Sequence, residues 1–208
     1  MISDRDFFMV NVDKDADGNY KSLDYTSLFP IQQPLYLEIG SGKGEFLSAY
    51  SRLHPECNLL GIESADKRIN NTLKKLNPEQ HANVRLMRLF VDSSISRIFA
   101  PESISGVFIQ HPDPWPKRKH HRRRLIQEEF LNALAHILKP EAQVQVSTDH
   151  SGYAAWILEE FLANPCYESV FDDPLRMQST FEDHITTWFE SEQRKQGYDP
   201  QFMLFKRI

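Results

Sequence analysis

The chain has 208 residues, 40% of them hydrophobic and only two of them cysteine, which suits one ordinary core with no need of disulfides. Cys57 and Cys166 lie far apart without CxxC or CxxH spacing, so metal chemistry and a disulfide framework gain no support, and no apolar run reaches the length of a membrane span. The formal net charge is −5, and the acidic start MISDRDFF lacks the basic-then-apolar order of an export signal; the expected setting is cytoplasmic, with no membrane partner.

Residues 1 to 33 carry turn formers and little periodicity, so an irregular arm is expected there, tacked to the body by Phe7, Phe8, Tyr25 and Phe29. A single domain is expected from Pro34 to Ile208. PLYLEIG reads as a short strand ending in glycines, and in the following EFLSAYSRLHP the residues Phe46, Leu47, Tyr50 and Leu53 fall at helical spacing. The alternation then repeats. Strands are predicted over Asn58 to Glu63, Val84 to Phe90, Val107 to Gln110 and Gln143 to Ser147, and helices over Asp66 to Leu76, Ser93 to Phe99, Arg123 to Leu138 and Ser151 to Ala163. Two more short strands, Tyr167 to Phe171 and Phe202 to Lys206, are expected to pair antiparallel at one end. The pattern predicts an α/β fold of the Rossmann-like kind: a mostly parallel seven-stranded sheet with helices on both faces.

In such sheets ligands bind beyond the carboxyl ends of the strands, where the strand order reverses. Glu38, Glu63, Asp113 and Asp149 all stand at or just after predicted strand ends. Between Glu38 and the first helix lie Gly40, Gly42 and Gly44, which permit a tight turn with a ligand against bare backbone, although glycines of this kind often serve only close packing. Glu63, about 20 residues on, suits ribose hydroxyls; its bland alternative is a cap for the helix from Asp66. The GxGxG spacing departs from dinucleotide sites, and Glu38 just before the turn would repel a pyrophosphate. A cofactor with a cationic amino-acid end and no phosphate fits better, which describes S-adenosylmethionine.

The strand from Val107 runs into HPDPWPKRKHHRRRL. Pro112, Pro114 and Pro116 fix the backbone around Asp113, so that acid sits on a stiff turn. The next eight residues, from Lys117 to Arg124, hold six of the 24 Lys and Arg and no acid. A basic run is usually a solvated helix start, but here it adjoins a rigid carboxylate on an otherwise acidic chain, which favours a phosphate-rich partner. Trp115 suits either stacking on a nucleotide or turn packing, whereas Trp156 and Trp188 are expected to pack.

These residues resemble the bacterial tRNA (guanine-N7-)-methyltransferase family. The resemblance runs from about Leu35 to the C-terminus through EIGSGKGEF (38 to 46), GIE (61 to 63), PDPWPKRKHHRRRL (112 to 125), STDHSGY (147 to 153) and TWFE (187 to 190). It implies transfer of a methyl group from S-adenosylmethionine to N7 of a guanosine in the variable loop of tRNA. Glu38, Gly40, Gly42 and Glu63 are then expected to hold the cofactor, with Asp113 at the reaction centre touching cofactor and base. Lys117, Asp149, Thr187 and Glu190 are implied to bind substrate, and Lys119, His120, His121, Arg122, Arg123 and Arg124 to meet the RNA. Two positions depart from the family pattern. Phe90, with Asp92 two places on, stands where the family has an Asp or Asn near the adenine, and His111 replaces an aromatic or small residue. A nicotinamide-dependent oxidoreductase would share the glycine turn and Glu63, and a non-catalytic RNA-binding module would share the basic run. Monomer and homodimer stay open.

Overall fold

A computed structural model describes residues 4–179 and 184–208; the first three residues of the expected arm lie outside that range. The chain begins with α1 (Asp4–Phe8) and β1 (Met9–Val10), then a short 3-10 helix at Tyr25–Ser27. From there β2 (Leu35–Ile39), α2 (Glu45–Leu53), β3 (Asn58–Glu63), α3 (Asp66–Leu73), β4 (Val84–Arg88), α4 (Ile95–Ile98) and β5 (Ile104–Gln110) alternate. A second 3-10 helix, Arg118–Arg123, precedes α5 (Glu128–Ile137), β6 (Leu138–Thr148), α6 (Ser151–Ala163), β7 (Tyr167–Ser169), α7 (Trp188–Lys195) and β8 (Gln201–Arg207).

The sheet has eight strands in the order β1-β4-β3-β2-β5-β6-β8-β7. The pairs from β1 to β6 are parallel, and β8 pairs antiparallel with both β6 and β7. The chain moves outward from β2 to β4, then returns to place β5 on the other side of β2. The strand order therefore reverses between the carboxyl ends of β2 and β5, where Glu38 stands next to last in β2, paired with Phe108, and Asp113 follows β5.

One apolar layer, including Leu131, Leu134, Ala154, Ile157 and Phe161, packs α5 and α6 on one face. The other face carries Phe8, Leu47, Leu59, Ile69 and Leu86 under α1, α2 and α3. Fully buried side chains such as Leu47 and Leu59 each contribute about 2 kcal/mol of burial free energy. Leu53, at helical spacing with them, is 56% exposed because it closes the last turn of α2 beyond the sheet.

The arm is more regular than its sequence suggests. Met9 and Val10 pair with Leu86 and Met87, adding an eighth strand to the seven expected. Phe8 and Phe29 are buried, and the guanidinium of Arg85 lies 4.4 Å from the Phe7 ring centre and 5.1 Å from that of Phe29. A two-residue strand carries no alternation, so periodicity had nothing to detect.

The helix expected from Arg123 starts only at Glu128. Arg124 and Gln127 are extended, and the basic residues before them form the separate 3-10 helix. Charge explains the boundary: three arginines would oppose the positive end of a helix, whereas Glu128 and Glu129 in the first turn favour it. The strand from Val84 ends at Arg88, two residues early, and Phe90 turns out to 74% exposure. The strand expected over Gln143 to Ser147 runs longer, from Leu138 to Thr148, with a register irregularity opposite Ile104 and Gly106.

Candidate active site and basic wall

Beyond the carboxyl ends of the strands lies a cleft of about 700 Å³. Its wall includes Ile39 and Gly40 at the end of β2, Glu63 at the end of β3, Phe90 and Asp92 after β4, and His111 and Asp113 after β5. Arg122 and Arg123 of the basic 3-10 helix close one side. The rigid carboxylate, the glycine turn and the basic run therefore share one cavity.

Glu38 is 3% exposed, and its Oε2 has no hydrogen-bond partner among the described residues. Burial, then the neighbouring carboxylates of Glu45 and Glu63, push its carboxyl up to about 8. The hydroxyl of Ser41 is likewise buried without a partner. Two orphaned polar groups, one before and one within a glycine turn, are costly unless a ligand satisfies them. A cationic ammonium beside Glu38 would do so.

The three glycines have different jobs. Gly40 and Gly42 adopt φ of +80° and +55°, and a Cβ added to either would meet open space or, at 3.8 Å, only the Gly40 carbonyl. Gly44 adopts φ of +74°, and its Cβ would come within 2.3 Å of Thr72 Cγ2, so this glycine permits α3 to pack against the turn. Of the alternatives at the level of sequence, close packing holds at Gly44, whereas Gly40 and Gly42 leave open space beside the backbone.

Glu63 fills the helix-bracing role weighed from sequence and adds a second tie. Its Oε1 accepts from the backbone N–H groups of Ser64 and Ala65, both at 2.9 Å, bracing the start of α3. Its Oε2 accepts from Gly42 N–H at 3.1 Å and lies 3.6 Å from Arg68, so the carboxylate also ties the glycine turn to β3 on the cleft wall. Phe90 and Asp92 both line the cleft; Asp92 Oδ1 accepts from Ser94 N–H at 2.8 Å.

Asp113 is exposed on its proline turn. The turn is held by Arg124, which is only 4% exposed and donates from Nε to the Pro114 carbonyl at 2.9 Å. The Arg124 guanidinium also lies 4.9 Å from the ring centres of Tyr153 and Trp156, and burial lowers its pKa. Arg124 was expected on the RNA-facing ledge; it is instead a strut between the turn and α6. Composition cannot separate the one inward arginine in a run of three. Lys117, Arg118, Lys119, Arg122 and Arg123 are exposed. Trp115 is gripped by Arg123, 5.0 Å from its ring centre, and by the edge of His120, whereas His121 sets an edge against Trp156.

Asp149 reaches the cleft through His111, whose Nδ1 is 3.1 Å from its Oδ1. That hydrogen bond holds the Asp149 carboxyl below its ordinary value, although partial burial opposes the shift. Thr187 caps α7, accepting from Glu190 N–H at 3.2 Å. Glu190 is 1% exposed; burial works against its charge, but hydrogen bonds from His184 and Arg194, each at 2.9 Å, hold its carboxyl below the usual range. Both residues are thus engaged in building α7. That helix presents Phe189 to the His111 ring at 5.0 Å and Trp188 to the Lys43 ammonium, 3.5 Å from the ring centre, beside the glycine turn. Trp188, expected to pack, is 53% exposed; Trp156 does pack, donating to the Ile126 carbonyl at 2.7 Å. Sequence reasoning also missed Arg68 and Gln110, which line the cleft; the only signal for them was nearness to a strand end. Among the described residues no cluster of His, Cys, Asp or Glu could hold a metal ion, and no helix is long and apolar enough to cross a membrane.

Residues 32–201 match a family profile described as "Putative methyltransferase". The chain belongs to this methyltransferase family. The tRNA (guanine-N(7)-)-methyltransferase of Syntrophotalea carbinolica is 39% identical over 131 residues, which is 63% of this chain and 56% of that protein. The enzyme of the same description from Rhodospirillum rubrum is 32% identical over 193 residues, 91% of this chain and 74% of the relative. The match thus spans little more than half the length of the first of these relatives. In fold, the chain resembles the 16S rRNA methyltransferase KamB, with a TM-score of 0.62 at 11% identity over 90% of this chain and 94% of the other. The aminoglycoside resistance methyltransferase NpmB1 gives 0.57 at 15% identity, covering 88% and 89%. Methyltransferase family membership accounts for the glycine turn with its orphaned Glu38 better than an oxidoreductase does.

Proposed function

We propose that the chain transfers the methyl group of S-adenosylmethionine to N7 of a guanosine in the variable loop of tRNA. The observation that carries this reading is the meeting of Asp113, the glycine turn and Arg122 and Arg123 in one cleft. The relatives' enzymatic description supports the same substrate.

The cofactor, when bound, supplies an electrophilic methyl group on a sulfonium. Glu38 and the bare backbone at Gly40 would receive its cationic amino-acid end, and Glu63 its ribose; the unpartnered Glu38 oxygen and the open space at Gly40 support this. Phe90, 74% exposed on the wall, offers a ring face to the adenine where the family has an acid. Guanine N7 carries a free lone pair, so the attack needs no prior removal of a proton. Placement is therefore the main demand on the protein. Asp113, stiffened by its prolines and by Arg124, accepts from the guanine N1 and N2 donors, an interaction that strengthens as positive charge develops on the ring. The exposed Lys117, Lys119, Arg122 and Arg123 grip tRNA phosphates, with His120 and His121 packed behind them on tryptophans. α7, built on Thr187 and Glu190, frames the extruded base through Phe189 and Trp188. The setting is cytoplasmic, where tRNA is processed.

Incubation with labelled S-adenosylmethionine and unmodified tRNA, followed by chemical cleavage at 7-methylguanosine, tests the reading. A single cleavage in the variable loop is expected; label at another atom or in another RNA class would overturn it.

A further inference from the structure

We propose that a second cavity, on the face of the sheet that carries α2, binds a guanidinium-type cation. It encloses about 200 Å³, and its lining includes Tyr36 of β2, Tyr50 of α2, Ser105 and Phe108 of β5, and Glu141 and Gln145 of β6. It shares no lining residue with the cleft beyond the strand ends, so it is a separate site.

An irregularity in strand pairing opens the cavity. Between the pair Ile104 with Leu138 and the pair Gly106 with Gln143, β6 advances five positions while β5 advances two. The extra residues include Glu141, whose φ of +63° is unusual for a residue with a side chain, and bulges of this kind recur next to active sites. Ser105 is the residue of β5 that falls opposite them. Aromatic rings supply the wall. The Tyr36 ring lies across Gly106, where an added Cβ would come within 2.6 Å of Tyr36 Cε1, and its centre is 6.1 Å from that of Phe108. The Tyr50 ring, 4.9 Å from Phe108, completes the cluster.

What the cavity lacks defines its ligand. Gln145 is 6% exposed, yet its Oε1 accepts no hydrogen bond among the described residues, and the buried Ser105 Oγ is likewise without a partner there. A carbonyl oxygen can only accept, and leaving it unmet away from water is costly. The carboxylates of Glu141 and Glu168 share the single ammonium of Lys206, at 2.8 and 2.9 Å, which leaves one net negative charge beside the cavity. No Lys or Arg is among the lining residues. The occupant therefore brings N–H donors and positive charge, in a shape flat enough to lie against aromatic rings. A guanidinium is planar, permanently charged and ringed with donors, and aromatic faces attract it. The cavity is smaller than the roughly 300 Å³ at which sites for drug-sized ligands begin, so it holds that head and a short chain.

The test titrates the full isotope-labelled chain with ethylguanidinium and with ethylurea, its uncharged isostere, and follows backbone amide shifts by NMR. Ethylguanidinium should shift the amides of Ser105, Phe108 and Gln145 saturably, with a Kd on the order of 1 mM for so small a ligand, and ethylurea should bind at least tenfold more weakly. Gln145→Met, which keeps the length of the side chain and removes the acceptor, should weaken ethylguanidinium binding about tenfold. Agmatine and N-acetyl-arginine amide separate a free alkylguanidine from an arginine side chain as the natural source; tighter binding of either than of ethylguanidinium upholds the site. Absence of saturable shifts at those amides, equal binding of the two isosteres, or undiminished binding by folded Gln145→Met would each overturn the proposal. The comparison of isosteres uses the wild-type chain, so it decides the matter even where the variant fails to fold.

Discussion

Glu38→Gln is expected to stabilise the free protein and to weaken its hold on the cofactor. In an unfolded chain the carboxyl ionises at about 4.5, whereas burial, Glu45 and Glu63 push it up to about 8 in the fold. Between those values the native state keeps a proton that the unfolded state has released. Glu38 therefore subtracts stability progressively as pH rises from about 4.5, and the loss is complete above about 8. At about 1.4 kcal/mol per pH unit the ceiling is on the order of 5 kcal/mol, and relaxation of the site brings the expected gain in the amide variant to about 2 kcal/mol. For a chain of this length that is a rise in Tm of roughly 4–8 °C at a pH of about 8.5, vanishing near pH 5. Thermal denaturation at both pH values reads the effect, and calorimetric titration with S-adenosylmethionine should show affinity reduced at least tenfold, the ammonium having lost its carboxylate. An equal Tm difference at both pH values, or unchanged cofactor affinity, would refute the argument that this carboxyl is held buried and unpaired for a cation.

Three further substitutions separate the roles assigned around the cleft. Replacing Arg122 and Arg123 by Ala should weaken tRNA binding and reduce the magnitude of its log–log salt slope by roughly 1.5; an unchanged slope would remove them from the RNA contact. Arg124→Ala should instead lower Tm by destabilising the fold on the order of 2–3 kcal/mol, through loss of the Pro114 hydrogen bond and two ring contacts, and an unchanged Tm would refute the strut. Glu63→Ala should reduce cofactor affinity first, read by calorimetry, because it releases the Gly42 backbone as well as removing a ribose acceptor; unaltered affinity would place the ribose elsewhere.

The alternation of strand and helix, the glycine turn and the PDPW element were legible in the sequence because each is a local pattern. Glu63, Phe90 and Asp113 reach one cleft because residues just past parallel strands are delivered to the same end of a sheet. What sequence left hidden depends on contacts between distant segments. Arg124 cannot be told from Arg123 until α6 supplies Tyr153 and Trp156. The pairing of Met9 and Val10 with β4 is two residues long and leaves no periodic trace. Thr187 and Glu190 read as substrate contacts by resemblance, whereas in the fold their oxygens cap α7 and meet His184 and Arg194. His111 stood out only as a departure from the family pattern, and its bond to Asp149, 38 positions away, gives it an orientation.

The claim on which the rest depends is that Asp113 grips the guanine beside the methyl donor. Single-turnover methyl transfer by Asp113→Asn, with cofactor and tRNA both saturating, measures that contact with binding removed from the comparison. The expected result is a rate lower by roughly 100-fold or more with cofactor affinity within tenfold of wild type. A rate within a few-fold of wild type would contradict it.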